Sequence, residues 1–506
     1  MLNDDVINKV SERLVNRIEE LNIEILKTIG ETIKKIGKLT PTQAMQLEQV
    51  FRYGGDYEKI TRKLAKITGL NVKDIQKIFE EVAKADHQFA KQFYEYRNIK
   101  YIPYDENEVL KAQVNSLANI TASEYANISR TNVIGYLITD TDGTIKFMEI
   151  SNVYKEVVDK AILGIYQGKD TFDHSMRKII NDIGKSGLRY VEYESGKTRR
   201  LDSALRMNLR GAIRDMHNEL QMQYGKEFDA NGVEVSVHLN PAPDHAEVQG
   251  KQFSNEEFEK FQNDEDATSY DGAFFPAISD ETGHDRRSIG EYNCYHYIFS
   301  IVLGISQPAY SNEELQEILN KNEQGFEFDG LHYTNYEGTQ LQRKIESAIR
   351  EQKDIQILAR SSGQIEEVQK AQMKINQLTK KYKELNEVSG LSSKVDRLRV
   401  SRYRKIKVDL KEYYNNNLIG ITNNNLKIEK LSNHFMERAE KRNIRMEDVK
   451  NAFTNPLFVD KIKTDKEGKK SIKIIGEKTT ISINPDSNTL ITVYKTGERI
   501  RKKYKR

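Results

Sequence analysis

Tryptophan is absent from this 506-residue chain, cysteine occurs once, and proline only eight times. A single cysteine cannot close an intrachain disulfide or build a cysteine-rich zinc site, and it suits a reducing compartment. No apolar run approaches the ~20 residues that a bilayer-spanning helix needs, and no charged-then-apolar leader opens the sequence. The chain therefore reads as a soluble protein without a signal peptide or a membrane partner. Proline is missing between Pro308 and Pro456, which leaves room for long uninterrupted helices.

Charged residues make up 31% of the chain and apolar residues 37%, enough to build two to four separate cores at this length. The net charge of +3 conceals an asymmetry: from Lys427 onward 21 Lys and Arg face 11 Asp and Glu, so the rest of the chain is acidic. Such a split predicts a separate terminal module with an anionic partner, most simply nucleic acid. A merely solvated basic surface is the alternative, with the final RIRKKYKR as a disordered tail.

Hydrophobic periodicity predicts an α+β multidomain fold. Ile7, Val10, Leu14, Ile18, Leu21, Ile25 and Ile29 step by three or four, giving one apolar helix face over more than five turns. A second helix is expected from Thr40, with Pro41 at its first position and Gln43 completing a capping box. Two hairpins are expected, YLITDTDGTIKFMEI turning near Asp142-Gly143 and LRYVEYESGKTRRL turning near Ser195-Gly196. In VEVSVHL, Val233, Val235, Val237 and Leu239 alternate with polar residues, so His238 should point away from the buried face. Leu341 to Ala359, Ser361-Ser362-Gly363 and the Val368 to Leu385 heptads predict an antiparallel helical hairpin.

The expected order is a mainly helical body over 1–230, a small mixed, turn-rich central module over 231–330 and a long helical hairpin over 331–414. An Asn-rich linker over 415–426 and a small basic α+β domain over 427–506 complete the chain.

The central module concentrates the unusual residues. Asp244, His245, His284, Cys294 and His296 are metal-ligand types, but no pair has zinc-knuckle spacing, and no spacing argument joins Cys294 to a particular base. Neither a metal nor a cofactor is expected. A structural role is: Pro241 and Pro243 fix extended backbone, Asp244 caps the adjoining turn, Gly250 permits a turn, and Cys294 joins the core with the run Tyr297 to Leu303.

HLNPAPDHAEVQGKQFS, then NCYHYIFSIVLGISQPAYS, then YTNYEGTQLQRKIESAIREQKD, in this order, resemble the minor capsid proteins of tailed phages, relatives of the Mu F-like head morphogenesis proteins. The resemblance spans roughly residues 1 to 410 and rests on Asp244, His245, Gly250, Asn293, Cys294 and His296 as a structural motif. Two departures stand out: members often carry Arg where this chain has Tyr295, and Trp where it has Val248. The resemblance implies a low-copy head component in the virion, in the capsid interior or at the portal, with the portal and major capsid proteins as partners. It also implies residence in the host cytoplasm during assembly or after delivery with the DNA.

In the basic region, a helix is expected from Ser432 with His434, Arg438, Lys441 and Arg442 on one face, spaced by four, seven and eight. A second helix from Met446 must stop before Asn455-Pro456. FVDKIK, SIKII, TTISIN and TLITVYK then predict about four antiparallel strands. A histidine on a cationic helix beside a small sheet suits metal-independent RNA cleavage, which needs a base, an acid and cations on the phosphorane. Imidazole titrates near ~6.5, so either proton role is open to His434.

Arg438 and Arg442 are the candidate phosphate clamp, Ser471 and Thr492 candidate sheet contributors to catalysis, and Lys441, Lys461 and Lys495 candidate nucleic-acid contacts. This module resembles the barnase, EndoU, colicin and RelE-like nuclease group found as toxin domains, which implies host RNA or tRNA as substrate and an immunity protein as partner. Three readings stay open: a capsid protein carrying a ribonuclease effector, a structural capsid protein whose basic domain contacts packaged phage DNA, and a cytosolic toxin.

Overall fold

A computed structural model describes the chain apart from residues 1–3, 39–71, 97, 129–133, 140–142, 168, 192–197, 279–285, 291–293, 424–425, 443, 445, 466 and 505–506. Two compact units, Met1–Arg404 and Lys405–Arg506, divide it. Helices and several small sheets alternate along both, as an α+β multidomain chain requires. Among the described residues no helix is long and apolar enough to cross a membrane.

The first unit is organised by α1 (Asp4–Ile36), which buries Ile18, Leu21, Ile25, Leu26, Ile29 and Ile33 along the stripe seen in the sequence. The helix expected from Thr40 lies outside the described residues. α2 (Val72–Tyr96) and α3 (Glu108–Ile128) pack on one another. The strands of both expected hairpins pair, β1 (Ile134–Thr139) with β2 (Ile145–Glu149) and β3 (Arg189–Val191) with β4 (Thr198–Arg200), while the turn positions Asp142, Ser195 and Gly196 lie outside the described residues. β1 also pairs with β3, so the two hairpins make one sheet of order β2-β1-β3-β4. α4 (Ile150–Gln167) and α5 (Lys169–Ser186) run between the hairpins, and α6 (Leu201–Glu227) comes after them.

The central module then opens with β5 (Gly232–Val235), flanked by β6 (Gln252–Ser254) and β9 (Ile298–Ile301) in a three-stranded antiparallel sheet. α7 (Asn255–Gln262) and the short pair β7 (Ala267–Thr268) and β8 (Phe274–Phe275) complete it. Val233, Val235, Val248, Phe253, Phe261 and Cys294 share its core. The expected alternation fails: Glu234 is buried along with Val233 and Val235, the strand ends at Val235, and Leu239 is 74% exposed. The Pro241 and Pro243 turn pulls the backbone off the sheet, because proline cannot donate to a ladder.

α8 (Asn312–Gln324) and the hairpin of β10 (Phe326–Phe328) with β11 (Leu331–Tyr333) lead into the long helical pair. α9 (Asn335–Ser362) starts at a capping box: Thr334 Oγ1 accepts the Glu337 N–H at 3.2 Å, and the Glu337 carboxylate accepts the Thr334 N–H at 2.9 Å. It turns at Gly363 into α10 (Ile365–Ser389), and Ile345, Ile349, Tyr382 and Leu385 pack between the two. α9 also contacts α1 and α5, so it is the axis of the unit. Where α5 crosses it, a Cβ on Gly184 would lie 2.3 Å from Ile355 Cγ1, and only glycine allows that approach.

In the second unit the Asn-rich stretch, expected as a linker, is folded. α11 (Leu410–Leu418) buries Tyr413, Tyr414, Asn417 and Leu418, and β12 (Thr422–Asn423) pairs with β13 (Leu426–Lys427). β14 (Lys430–Leu431) precedes α12 (Asn433–Lys441), capped by Ser432, and α13 (Met446–Thr454), which stops before Asn455. The expected strand FVDKIK is split into β15 (Phe458–Val459) and β16 (Lys463–Thr464). β17 (Lys470–Ile475), β18 (Thr479–Asn484) and β19 (Thr489–Lys495) form the antiparallel centre, in the order β14-β19-β18-β17-β15. β14 joins β19 in parallel. The basic end forms α14 (Glu498–Tyr504), with Tyr504 stacked on Phe458.

Candidate functional site

Two places gather the residues that chemistry would use. The first lies in the central module, where Pro243 to His245 form a single 3-10 turn beside the extended chain leading into β9. His245 Nε2 lies 2.8 Å from the Arg287 carbonyl. A carbonyl only accepts, so Nε2 carries the proton and the lone pair of Nδ1 is free. That Nδ1 lies 3.6 Å from Cys294 Sγ, and His296 Nδ1 lies 3.6 Å from the same sulfur. The His296 backbone N–H also donates to Sγ at 3.4 Å. All three side chains are buried.

Burial alone would raise the Cys294 thiol pKa, but hydrogen bonding and charge from His245 outweigh it and hold the thiol below its ordinary value. Burial opposes protonation of His245, yet Cys294 contact leaves its pKa raised. His296 is pushed down to about 2 by burial and by the neighbouring His238, His245 and Arg287, so it is a neutral imidazole. Its Nε2 is sequestered and has no hydrogen-bond partner among the described residues.

The surrounding residues hold this arrangement. Asp244 receives a two-pronged hydrogen bond from Arg287, at 2.5 and 2.6 Å. Gly250 sits at φ +72°, and a Cβ there would lie 2.6 Å from Leu315 Cδ2, so the turn expected at this glycine is required. His238 does not point away: its ring centroid lies 4.6 Å from that of buried His296, and its Nε2 donates to the Tyr295 carbonyl. Tyr295 receives Arg343 on its hydroxyl at 2.6 Å and Arg210 over its ring at 4.7 Å. Val248 is part of the core. Asn293 and His284 lie outside the described residues.

The second place is the sheet of the second unit. Ile472, Ile474, Ile481, Ile483, Leu490 and Val493 line one buried face. α12 packs on β19 and α13 on β18, with Phe435, Ala439, Val449 and Phe453 buried, so the two helices cover that face. A Cβ on Gly476, in register with Ile472 and Ile474, would meet Ala452 of α13 at 2.5 Å.

Alternation puts Ser471, Lys473, Ser482, Thr492 and Tyr494 on the opposite face, with Lys473, Ser482 and Thr492 in one cross-strand row. Lys473 Nζ lies 5.5 Å and the Arg442 guanidinium 5.9 Å from the Tyr494 ring centre. Arg442 reaches there because β14 ends at Leu431 and leaves the Val493 carbonyl at the sheet edge, where Arg442 Nη1 donates at 2.9 Å.

The proposed catalytic set is therefore divided. His434 is exposed on α12, which covers the isoleucine face, with Arg438 one turn on, whereas Ser471 and Thr492 lie on the other face. Of the helix cations only Arg442 is placed beside that face by a described contact. Lys441, Lys461 and Lys495 are exposed. Lys473 and Tyr494 were missed, although the i, i+2 parity with Ser471 and Thr492 is legible in SIKII and TLITVYK.

A third cluster, also missed, has no surface role. Arg200 bridges Asp202 at 3.3 Å and Asp354 at 3.2 Å, Arg350 donates to Asp202, and Glu19 lines the same small cavity.

Against known proteins, the family model described as phage minor capsid protein 2 matches residues 2–386. No curated protein and no solved structure matches the chain.

Proposed function

The chain belongs to the phage minor capsid protein 2 family, and we propose that it serves in the phage head near the portal, with its second unit binding packaged nucleic acid. The observation that carries the binding role is the face bearing Lys473, Arg442 and Tyr494, where two cations flank one aromatic ring. Cations beside a half-buried aromatic ring suit phosphate contact, with the ring's open face available to a base. The unit from Lys405 onward carries 24 Lys and Arg against 13 Asp and Glu, so its field favours the same partner. Full-length protein should bind a short DNA in fluorescence anisotropy, with affinity falling steeply as salt rises. Arg442→Ala with Lys473→Ala should weaken binding at least about tenfold and flatten the salt dependence by about two phosphate contacts. Salt-independent binding, or an unchanged double variant, defeats this role. Mass spectrometry of purified virions tests the placement: the chain should be present at a few copies per particle.

A second reading, a ribonuclease effector acting on host RNA or tRNA and held by an immunity protein, is favoured by the exposure of His434 one helical turn from Arg438. On the present geometry Ser471 and Thr492 are not its partners, so the acid and base would both come from the helix side. Metal-independent RNA cleavage by the full chain, abolished in His434→Ala, supports it; an inactive wild type removes it.

A further inference from the structure

We propose that His245, Cys294 and His296 bind one zinc ion that staples the central module. Spacing along the chain could not show this, because His245 and Cys294 are 49 residues apart and meet only in the fold. The donor atoms of the three lie within 4.8 Å of one another. With Zn–S of about 2.3 Å and Zn–N of about 2.0–2.1 Å, a tetrahedral site has S···N edges of about 3.6 Å. Both measured edges, Cys294 Sγ to His245 Nδ1 and to His296 Nδ1, are 3.6 Å.

The outer contacts are those a metal-bound set needs. His245 donates Nε2–H to the Arg287 carbonyl, which fixes the tautomer whose Nδ1 is free to ligate. The Asp244 carboxylate lies 3.8 Å from the same Nε2 and is itself held by Arg287. A backbone N–H donates to Sγ, which favours thiolate. Of the two imidazoles, His245 has the outer contact that a zinc-bound histidine uses, while His296 Nε2 has no hydrogen-bond partner among the described residues. The fourth position falls to water.

A staple here has a physical use. The His238 to Gly250 turn and the strand-entry segment Cys294 to Tyr297 have little regular structure, and the strand that should join them stops at Val235. A metal closing a loop of this length restricts the unfolded chain and fixes both segments against the sheet. A Cys/His nucleophile is a poorer use of the same atoms, since Cys294 is only 7% exposed.

The test uses the full-length chain, made without a polyhistidine tag in zinc-supplemented medium and dialysed. Elemental analysis should find about one zinc per chain. Cobalt exchanged into the protein should show a thiolate-to-cobalt charge-transfer band with tetrahedral d–d bands. Cys294→Ser should lose that band, Cys294→Ser and His296→Ala should each lower zinc occupancy at least about tenfold, and His332→Ala, an exposed histidine on β11, should change neither. If a variant fails to fold, the wild-type cobalt spectrum decides. Zinc-free wild type that takes up cobalt without a thiolate band, or an unchanged Cys294→Ser, overturns the proposal.

Discussion

Replacing Glu19 by Gln should make the first unit more stable near pH 8 and leave it almost unchanged near pH 4.5. Glu19 faces the Arg200, Asp202, Arg350 and Asp354 cluster, and its Oε2 is sequestered without a hydrogen-bond partner among the described residues. Burial first, then the Asp202 charge, raise its pKa from 4.5 to about 7, against the pull of Arg350 and Arg206. An acid with a raised folded-state pKa keeps its proton in the native chain after the unfolded chain has lost it. Stability is therefore unaffected below about pH 4.5, falls as pH rises toward 7, and stays reduced above that. At about 1.4 kcal/mol per pKa unit the shift corresponds to at most ~3 kcal/mol. Partial solvent contact and coupling to Asp354, itself raised to about 6 by burial, reduce the expectation to about 1–2 kcal/mol. Gln fixes the neutral form, so urea unfolding monitored by far-UV circular dichroism should show the variant ahead by that amount at pH 8. An equal difference at both pH values, or a less stable variant at pH 8, refutes the assignment.

Arg350→Met should cost the first unit about 3–5 kcal/mol in the same urea assay, because Asp202 loses one of its two buried guanidinium partners. Thr334→Ala removes the cap of α9 and should cost about 1 kcal/mol without altering the urea m-value. Gly184→Ala forces a methyl against Cγ1 and the backbone of Ile355, which have little room to give, and should cost about 1–3 kcal/mol in the same urea assay.

Local periodicity carried much of the fold. α1, the α9 and α10 pair and the helices beginning near Ser432 and Met446 all arise from apolar residues at helical spacing, with side-chain caps at Thr334 and Ser432. What it could not carry was pairing between elements. Nothing in either hairpin of the first unit says that β1 will accept β3, because both satisfy their own alternation. The Asn-rich stretch misled for a related reason. Asn is neutral in isolation and favours turns, but Tyr413, Tyr414 and Leu418 are apolar on one side of α11 and tie it to the core. Burial of one face overrides a weak propensity.

The sites divide along the same line, and the division explains which chemical reading gained. The helix spacing of His434, Arg438 and Arg442 is local: the first two lie on α12 and Arg442 is its C-cap residue. Whether they face Ser471 and Thr492 depends on which side of the sheet the helix covers, and that is set by the isoleucines at 472, 474, 481 and 483, which require a lid. The lid is α12 and α13, so His434 is carried to the far side of the sheet from the strand hydroxyls. Arg442 escapes this only because β14 is two residues long and leaves the end of β19 as an edge. The result leaves the candidate residues divided between two faces of the sheet. The central cluster shows the converse: its donors share no local spacing, yet the fold brings a thiol and two imidazoles within 4.8 Å of one another, with both S···N distances at 3.6 Å.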